Sequence, residues 1–333
     1  MSDASSSDGF HIGIDVGGTK VLAVATRPQH PKDELAAIEY RTTAGRSVLT
    51  VLETAVAEVR SGVDVAAGPL RAVGVGMAGM VTLDGYFRDG PNLPGVSEID
   101  VGAWLTSRCA RPVMVDNDGN CAAWAEHAFG AGMGQDNFVF IGLGTGISCG
   151  LVLGGRRMRG EHGYAGEPGH MTLWPDGPKC ACGRSGCWEA LASGSALAVA
   201  ARRAARKGRL SRCVELAGGD SGAVRGEQVS AALSEGDPDA LQLASSFARW
   251  VALGLANLAS LLDPGVIALG GSVIDPRAPW MALIEAAYHD TVADRSQRRA
   301  TRLVPASAGR RAGALGAALL AAESVADRIG LDV

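Results

Sequence analysis

The sequence has no long run of like charge, no apolar stretch long enough to cross a bilayer, and no apolar leader in its first ten residues. Lys and Arg number 31 against 35 Asp and Glu, and the net charge of −4 is spread along the chain. That spread argues against the concentrated basic face of a nucleic-acid binder or an anionic-membrane binder. The most apolar stretch, residues 250–262, contains Asn257 and is too short to span hydrocarbon. The opening MSDASSSDGF is polar, is expected to be disordered, and lacks the core of a signal peptide. A reducing, cytoplasmic compartment follows as the expectation, so the seven Cys read as thiols rather than a disulfide framework. Cys109, Cys121, Cys149 and Cys213 are isolated and read as packing.

What the chain does have is length, apolar content and glycine. Its 333 residues suggest two domains, 47% apolar residues suffice for sizeable cores, and 46 Gly imply many tight turns. Residues 161–194, EHGYAGEPGHMTLWPDGPKCACGRSGCWEALASG, set His170, Cys180, Cys182 and Cys187 close together. Thiolates and imidazole are the ligands of a structural zinc ion, and four of them close a tetrahedron. A disulfide cluster and buried small hydrophobes are the other readings; a Cys180–Cys182 bridge has poor geometry at that spacing. Gly183 and Gly186 supply the tight turn that lets Cys182 and Cys187 face one ion. Glu167 lies three residues before His170 and Glu189 two after Cys187, so a metal here would also fix two carboxylates, which suits a polyhydroxylated ligand. His162 reads as an ordinary loop residue.

Residues 11–16 read as a strand, followed by a Gly-Gly-Thr-Lys turn (Gly17, Gly18, Thr19, Lys20) and a second strand at 21–26. Dinucleotide and P-loop motifs need a helix after the glycines, so neither is supported. The turn can still cradle phosphate through its backbone N–H groups, and Asp15 could hold a hydrated Mg²⁺; an ordinary glycine hairpin is the bland alternative. Residues 47–60 read as a helix capped by Ser47, 72–77 as a strand, 99–108 as a short helix and 112–115 as a strand. Asn92 falls between two prolines in a loop shaped to present a side chain. Residues 116–120, Asp-Asn-Asp-Gly-Asn, crowd polar groups between a strand and the helix at 121–130. Capping explains one or two of them, and ligands bind at such strand ends.

The strands at 137–143 and 147–153 flank a second turn, Gly144-Thr145-Gly146, so the chain reads as an internal duplication with one phosphate-binding hairpin per half. Helices are expected at 190–207, 228–234, 238–262, 279–289 and 313–325, with a Gly-rich loop at 216–225. Asp263-Pro264 stops the long helix. Strands are expected at 266–269 and 301–304, and Gly270-Gly271 could lie against an adenine or ribose.

These motifs together carry a resemblance. DVGGTK at 15–20, DND at 116–118, GLGTGI at 142–147, GEPGH at 166–170, CACGRSGCWE at 180–189, DPGVIALGG at 263–271 and the ALGAALLA ending run in order over nearly the whole chain. The chain resembles the repressor, open reading frame, kinase (ROK) family of bacterial sugar kinases. The ten-residue step from His170 to Cys180, with PDGP before the Cys, is similar to the glucokinase branch. The resemblance implies an α/β fold of the actin/hexokinase-like, ribonuclease H-like type. Two domains, 10–118 and 119–333, would flank a cleft, with the final helix packing back on the smaller one. It implies Asp118 as catalytic base and Asn117, Glu167, His170 and Glu189 as sugar ligands, with Gly79 and Asn92 bordering the pocket. It implies His170, Cys180, Cys182 and Cys187 as zinc ligands. Residues 13–20, from Gly13 through Asp15 to Lys20, and 144–151 would form the two phosphate loops. Two departures stand out: Ser148 and Cys149 replace glycine and add bulk near the nucleotide, and Asp116 stands in place of Glu.

The expected activity is phosphoryl transfer from ATP with Mg²⁺ to a hexose hydroxyl, glucose foremost, on a zinc-stabilised scaffold. A homodimer or homotetramer is implied, with a small-molecule sugar and ATP as partners and neither nucleic acid nor membrane. DNA-binding members carry a winged helix before the first strand, where this sequence has ten residues. Three alternatives stay open: a kinase for another hexose, an N-acetylated amino sugar or a cyclitol; a sugar sensor without turnover, which Asp118 argues against; and a zinc-stabilised interaction module, which the paired turns argue against. Loss of the zinc clamp is expected to spare nucleotide binding, because both glycine turns lie outside it in sequence.

Overall fold

The computed structural model of the protein describes residues 9–41, 47–90, 93, 95–292 and 301–328. Asn92 lies outside these described residues. The chain opens with β1 (Phe10–Val16) and β2 (Lys20–Thr26), an antiparallel hairpin flanked by β3 (Ala36–Arg41). Helix α1 (Val48–Ser61) leads to β4 (Leu70–Met77), which pairs parallel with β1. Ser47 occupies the cap position of α1 in extended conformation, yet its hydroxyl makes no bond to the helix. The helix is held by its buried face, Val48, Val51, Leu52, Ala55, Val56 and Val59, at 3–4-residue spacing.

Three short strands, β5 (Met80–Val81), β6 (Phe87–Asp89) and β7 (Ser97–Ile99), make a separate small sheet. Helix α2 (Val101–Cys109) then returns the chain to β8 (Val113–Asn117), parallel to β4. Helix α3 (Asp118–Phe129) starts three residues earlier than its apolar run suggests, because Asn117 caps it.

The second sheet repeats the plan of the first. β9 (Phe138–Leu143) and β10 (Ile147–Leu153) form the hairpin, β11 (Arg156–Arg157) flanks β10, and β12 (Val266–Gly270) and β13 (Arg302–Pro305) run parallel beyond β9. The strand orders, β3-β2-β1-β4-β8 and β11-β10-β9-β12-β13, correspond position by position. The duplication legible in two glycine turns thus extends to both sheets.

Between β10 and β12 the chain forms α4 (Trp188–Ala192), α5 (Gly194–Ala205), α6 (Ser211–Leu216), α7 (Gly226–Ser234) and α8 (Pro238–Leu262). The expected continuous helix at 190–207 is broken at Ser193, which turns extended and caps α5 by accepting the Ala196 N–H at 3.1 Å. α8 stops where Asp263 turns left-handed before Pro264. Trp188 is fully buried under α8, and its ring fills the space that a Gly254 side chain would occupy. Among the described residues no helix is long and apolar enough to cross a membrane.

Helices α9 (Trp280–Val292) and α10 (Ala312–Arg328) complete the second half. α10 packs back on the first sheet through glycines. A Cβ on Gly13 of β1 would fall 1.8 Å from the Ala314 carbonyl, and one on Gly74 of β4 the same distance from that of Ala317. Within α10, Gly316 admits the backbone of Cys121 in α3, while Gly150 of β10 admits the Gly119 carbonyl. α10 therefore meets the first sheet and α3, and α3 meets the second sheet, by backbone contact. Gly13 is buried under α10, so its place is packing; it does not reach the phosphate turn.

Candidate active site

Four carboxylates form a chain through the cleft, each on a different element. Asp15 is the penultimate residue of β1, two residues before the first turn. Gly313 of α10 lies against it, where a Cβ would come within 2.7 Å of its carboxyl carbon. Burial pushes Asp15 up to about 6, partly offset by Lys20. Asp118 opens α3; burial first, then the charge of Asp15 and more weakly that of Glu167, push it up to about 8, against an N–H bond from Gly119 at 2.9 Å. Glu167 faces the open cleft just before a 3-10 turn (Pro168–His170), and desolvation with the charge of Glu189 pushes it up to about 7. Glu189, on α4, accepts the Ile147 N–H at 2.9 Å, directly after the second turn.

Asn117 caps α3, accepting N–H bonds from Gly119 (2.8 Å) and Asn120 (3.2 Å). Its Nδ2 donates to the Gly79 carbonyl at 3.0 Å, tying the cap to the small sheet. Gly79 has φ +154°, and a Cβ there would meet the Asp89 carbonyl at 2.4 Å, so glycine is required. Asp116 is engaged by arginines rather than by the chain of acids. Its carboxylate is nearly buried, with Arg157 Nη1 at 2.7 Å and Arg159 Nε at 3.1 Å.

The four sulfur and nitrogen ligands His170, Cys180, Cys182 and Cys187 come together with all ligand atoms within 4.8 Å of one another. Cys182 Sγ and Cys187 Sγ are 3.6 Å apart, and Cys180 Sγ and His170 Nδ1 3.7 Å. A tetrahedron with Zn–S of about 2.3 Å has edges of ~3.7 Å, so these two pairs already match zinc, and the remaining donor pairs, none more than 4.8 Å apart, would close to it with a small shift. Gly183 (φ +86°) and Gly186 (φ +69°) make the turn, and a Cβ on Gly186 would fall 1.5 Å from the Trp174 carbonyl. Cys180 Sγ lies 4.0 Å from Glu189 Oε1, so the clamp and the second turn share one carboxylate.

The two glycine turns differ in their surroundings. In the first, Gly17 N–H bonds the Lys20 carbonyl at 2.9 Å, Gly18 is half-buried, Thr19 is exposed, and Lys20 Nζ lies 3.9 Å from Glu39. The second, Gly144-Thr145-Gly146, borders a cavity of about 690 Å³ walled by α5, α7 and residues 272–277. Gly194 N–H bonds the Gly144 carbonyl at 2.7 Å, and Gly271 (φ +90°) packs on Leu143. Gly270 and Gly271 do not line this cavity; they set the turn that brings Ser272 and Val273 to it. Ser148 packs toward Gly142 and Cys149 is buried in the core, so neither adds bulk in the cavity.

The sequence profile of the ROK family matches residues 11–324. The chain belongs to the ROK family. The glucokinase of Streptomyces coelicolor is 35% identical over 320 residues, covering 95% of this chain and 98% of that one. The crystal structure of a ROK glucokinase from Streptomyces griseus, in complex with glucose and AMPPNP, superposes with a TM-score of 0.85 at 34% identity, covering 95% of this chain and all of that one. A ROK hexokinase from Thermus thermophilus superposes with a TM-score of 0.78 at 35% identity, over 96% of this chain and 99% of that one. The fold is therefore that of the ROK hexokinases, of actin/hexokinase-like type.

Within this ROK chain, sequence reasoning missed several residues. Arg202, Arg225, Ser272 and Arg277 line the cavity but come from separate elements with no shared spacing. Gly313 read only as part of a small-residue helix. Arg157 and Arg159 carried no motif; the one signal for them was Asp116, a buried acid that needs a cation.

Proposed function

We propose that this ROK protein is an ATP-dependent hexokinase that transfers the γ-phosphoryl group to the primary hydroxyl of a hexose, glucose first among them. The observation that carries this reading is Asp118, a half-buried carboxyl pushed up to about 8, inside a chain of acids running from the first glycine turn to the second. Such a group is suited to take a proton from a hydroxyl at neutral pH. The glucokinase relatives support glucose as acceptor and ATP as donor.

In the reaction the sugar hydroxyl oxygen bonds the γ-phosphorus, its proton passes to Asp118, and the bond to the β–γ bridging oxygen breaks, releasing ADP. Glu167, Glu189, His170 and Asn117 are proposed to hold the sugar's other hydroxyls. The backbone N–H groups of residues 17–20 and 144–146 are proposed to cradle the phosphates, with the nucleoside in the 690 Å³ cavity. Mg²⁺, when bound, supplies charge neutralisation on the phosphates, and Asp15 is the residue suited to hold it through its water. In the free protein Asp118 is mostly protonated at pH 7, and its ionised, proton-accepting fraction grows as pH rises towards about 8. Zinc on His170, Cys180, Cys182 and Cys187 is structural: with four protein ligands it leaves no open position for water.

Residues 10–118 and 119–333 are taken as two lobes that close on the substrates, with α10 belonging to the first by packing. A homodimer or homotetramer working in the cytoplasm, where ATP and reduced thiols coexist, completes the reading; light scattering tests the assembly. The decisive experiment is ADP release over glucose, mannose, N-acetylglucosamine, N-acetylmannosamine and a cyclitol. Glucose is expected to give the highest kcat/KM. Release stimulated by none of them would sink the kinase reading, and preference for an N-acetylated sugar would change the acceptor alone.

A further inference from the structure

We propose that Arg159 is a positioning residue that clasps the acceptor cleft shut, and that without it part of the phosphoryl transfer goes to water. The inference rests on the kinase reading above.

One guanidinium joins three separate parts of the fold. Arg159 Nη1 donates to the Leu83 carbonyl at 3.2 Å and Nη2 to the Thr82 carbonyl at 3.0 Å, in the turn after β5. Its Nε lies 3.1 Å from Asp116 Oδ2, an ion contact without hydrogen-bond alignment. Arg157 Nη1 donates to the same oxygen at 2.7 Å. The other oxygen of Asp116 accepts from Asn117 N–H (2.7 Å) and Asn120 Nδ2 (2.9 Å), so the carboxylate is fully engaged. Asp116 stands two residues before Asp118.

Arg159 follows β11, at the edge of the second sheet, whereas Thr82 and Leu83 belong to the small sheet of the first half. The clasp therefore ties the second half of the chain to the first. The chain beyond Arg159 lies on that small sheet: Gly163 (φ +91°) comes so close to Val81 that a Cβ would fall 2.4 Å from its carbonyl. The loop then closes on itself, with Ala165 N–H bonding the Arg159 carbonyl at 3.0 Å. Glu167 follows two residues later. Arg159 thus fixes the spacing between the wall that carries Glu167 and the strand end that carries Asp118, touching neither the sugar site nor the nucleotide cavity.

The planar fork is needed because it reaches two carbonyls and a carboxylate at once; an ammonium cannot. A cleft left ajar admits water. Water then attacks the γ-phosphorus, the bond to the bridging oxygen breaks, Asp118 takes the proton, and ADP and inorganic phosphate leave.

The test compares wild type, Arg159→Ala and Arg159→Lys for glucose 6-phosphate formation, inorganic phosphate release, both KM values and Tm. Loss of two charge-assisted bonds predicts an acceptor KM raised about 10–100-fold in Arg159→Ala, a smaller rise in Arg159→Lys, and an ATP KM within about twofold of wild type. The ratio of inorganic phosphate to sugar phosphate should rise several-fold by the same argument. Acceptor KM and product ratio within about twofold of wild type in both variants, whatever Tm does, would overturn the clasp, as would an equal rise in both KM values. Should Arg159→Ala fail to fold, Arg159→Lys is judged by the same criteria. A wild-type protein that phosphorylates no sugar overturns the kinase reading and the clasp with it; variants matching an active wild type overturn the clasp alone.

Discussion

The two halves of the molecule share one strand plan and one kind of turn, yet what lies behind each turn differs. Behind Gly17-Gly18-Thr19 stand an acid, Asp15, and the start of α10, whose Gly313 leaves room for that acid. Behind Gly144-Thr145-Gly146 stand Glu189, the cysteine cluster and a wide cavity. A duplicated hairpin supplied the same backbone twice; the packing around it set one buried acid behind the first turn, and a carboxylate, a cysteine cluster and a cavity behind the second. The comparison can be broken or sharpened by disturbing each half separately.

The largest effect is expected from Asp118→Asn, which should keep sugar binding and lose about 10²–10⁴ in kcat. The same variant should be more stable than wild type at pH 7. With its pKa raised from 3.8 to about 8, Asp118 holds a proton in the folded state that the unfolded chain releases, so wild-type stability falls as pH rises between these values. Melting curves should show the gap between variant and wild type widening from pH 4 to pH 8; a constant gap would refute the buried-acid account. The acidic limb of the wild-type kcat/KM profile should likewise be absent or displaced in the variant's residual rate.

Next in size is Cys182→Ser. Elemental analysis should find about one zinc fewer per chain, and the glucose KM should rise. Here the structure revises an expectation. Because Glu189 ties the cluster to Ile147 N–H, the second turn is not independent of the clamp, and affinity for an ATP analogue should fall about 3–10-fold, the net worth of an ordinary hydrogen bond. Unchanged nucleotide affinity in the zinc-free variant would restore the turn's independence.

A disturbance confined to the first half, Asp15→Asn, should raise the Mg²⁺ concentration needed for half-maximal activity about tenfold while the zinc content stays the same. If zinc were also lost, the division of labour between the halves would not hold. The smallest effect is expected at Glu126, fully buried where α3 ends, which accepts N–H bonds from Ala131 (2.8 Å), Ser307 (3.1 Å) and Ala308 (2.7 Å). Glu126→Gln should cost about 1–3 kcal/mol by denaturant titration and leave both KM values nearly unchanged.

These residues also mark how far the sequence could be read. The zinc cluster was legible because its ligands lie within 18 residues of chain, His170 to Cys187, and chemistry restricts which residue types fit. Asp118 was legible as a polar group at a strand end, but the burial that chiefly raises its pKa, and the charge of Asp15 that adds to it from a strand about 100 residues away, leave no local trace. β3 escaped because its half-exposed AAIEYR pattern follows a polar, proline-containing stretch and makes only a weak strand signal. Helix α6 escaped because it is short, uncapped and entered through a left-handed Leu210. Ser47 was a cap in sequence and not in hydrogen bonding, since an alternative set of contacts already holds α1. The cavity-lining arginines came from distant elements, and only the fold brings them together.

The packing of α10 on β1 and β4 has a consequence for the order of synthesis. One face of the first sheet, where Leu22 and Val24 lie, is covered by Ala314 and Leu315 of α10. Those residues leave the ribosome about 195 residues after β8 is complete, a delay of roughly 10–40 s at ~5–20 residues per second. Throughout that interval the nascent first half carries an apolar face covered only in part, by Phe129 of α3, until the late helix arrives. A nascent chain stalled just before Ala312 should therefore bind a hydrophobic dye or a chaperone, and one released after Arg328 should not. The first half of the protein to be made is among the last to finish folding.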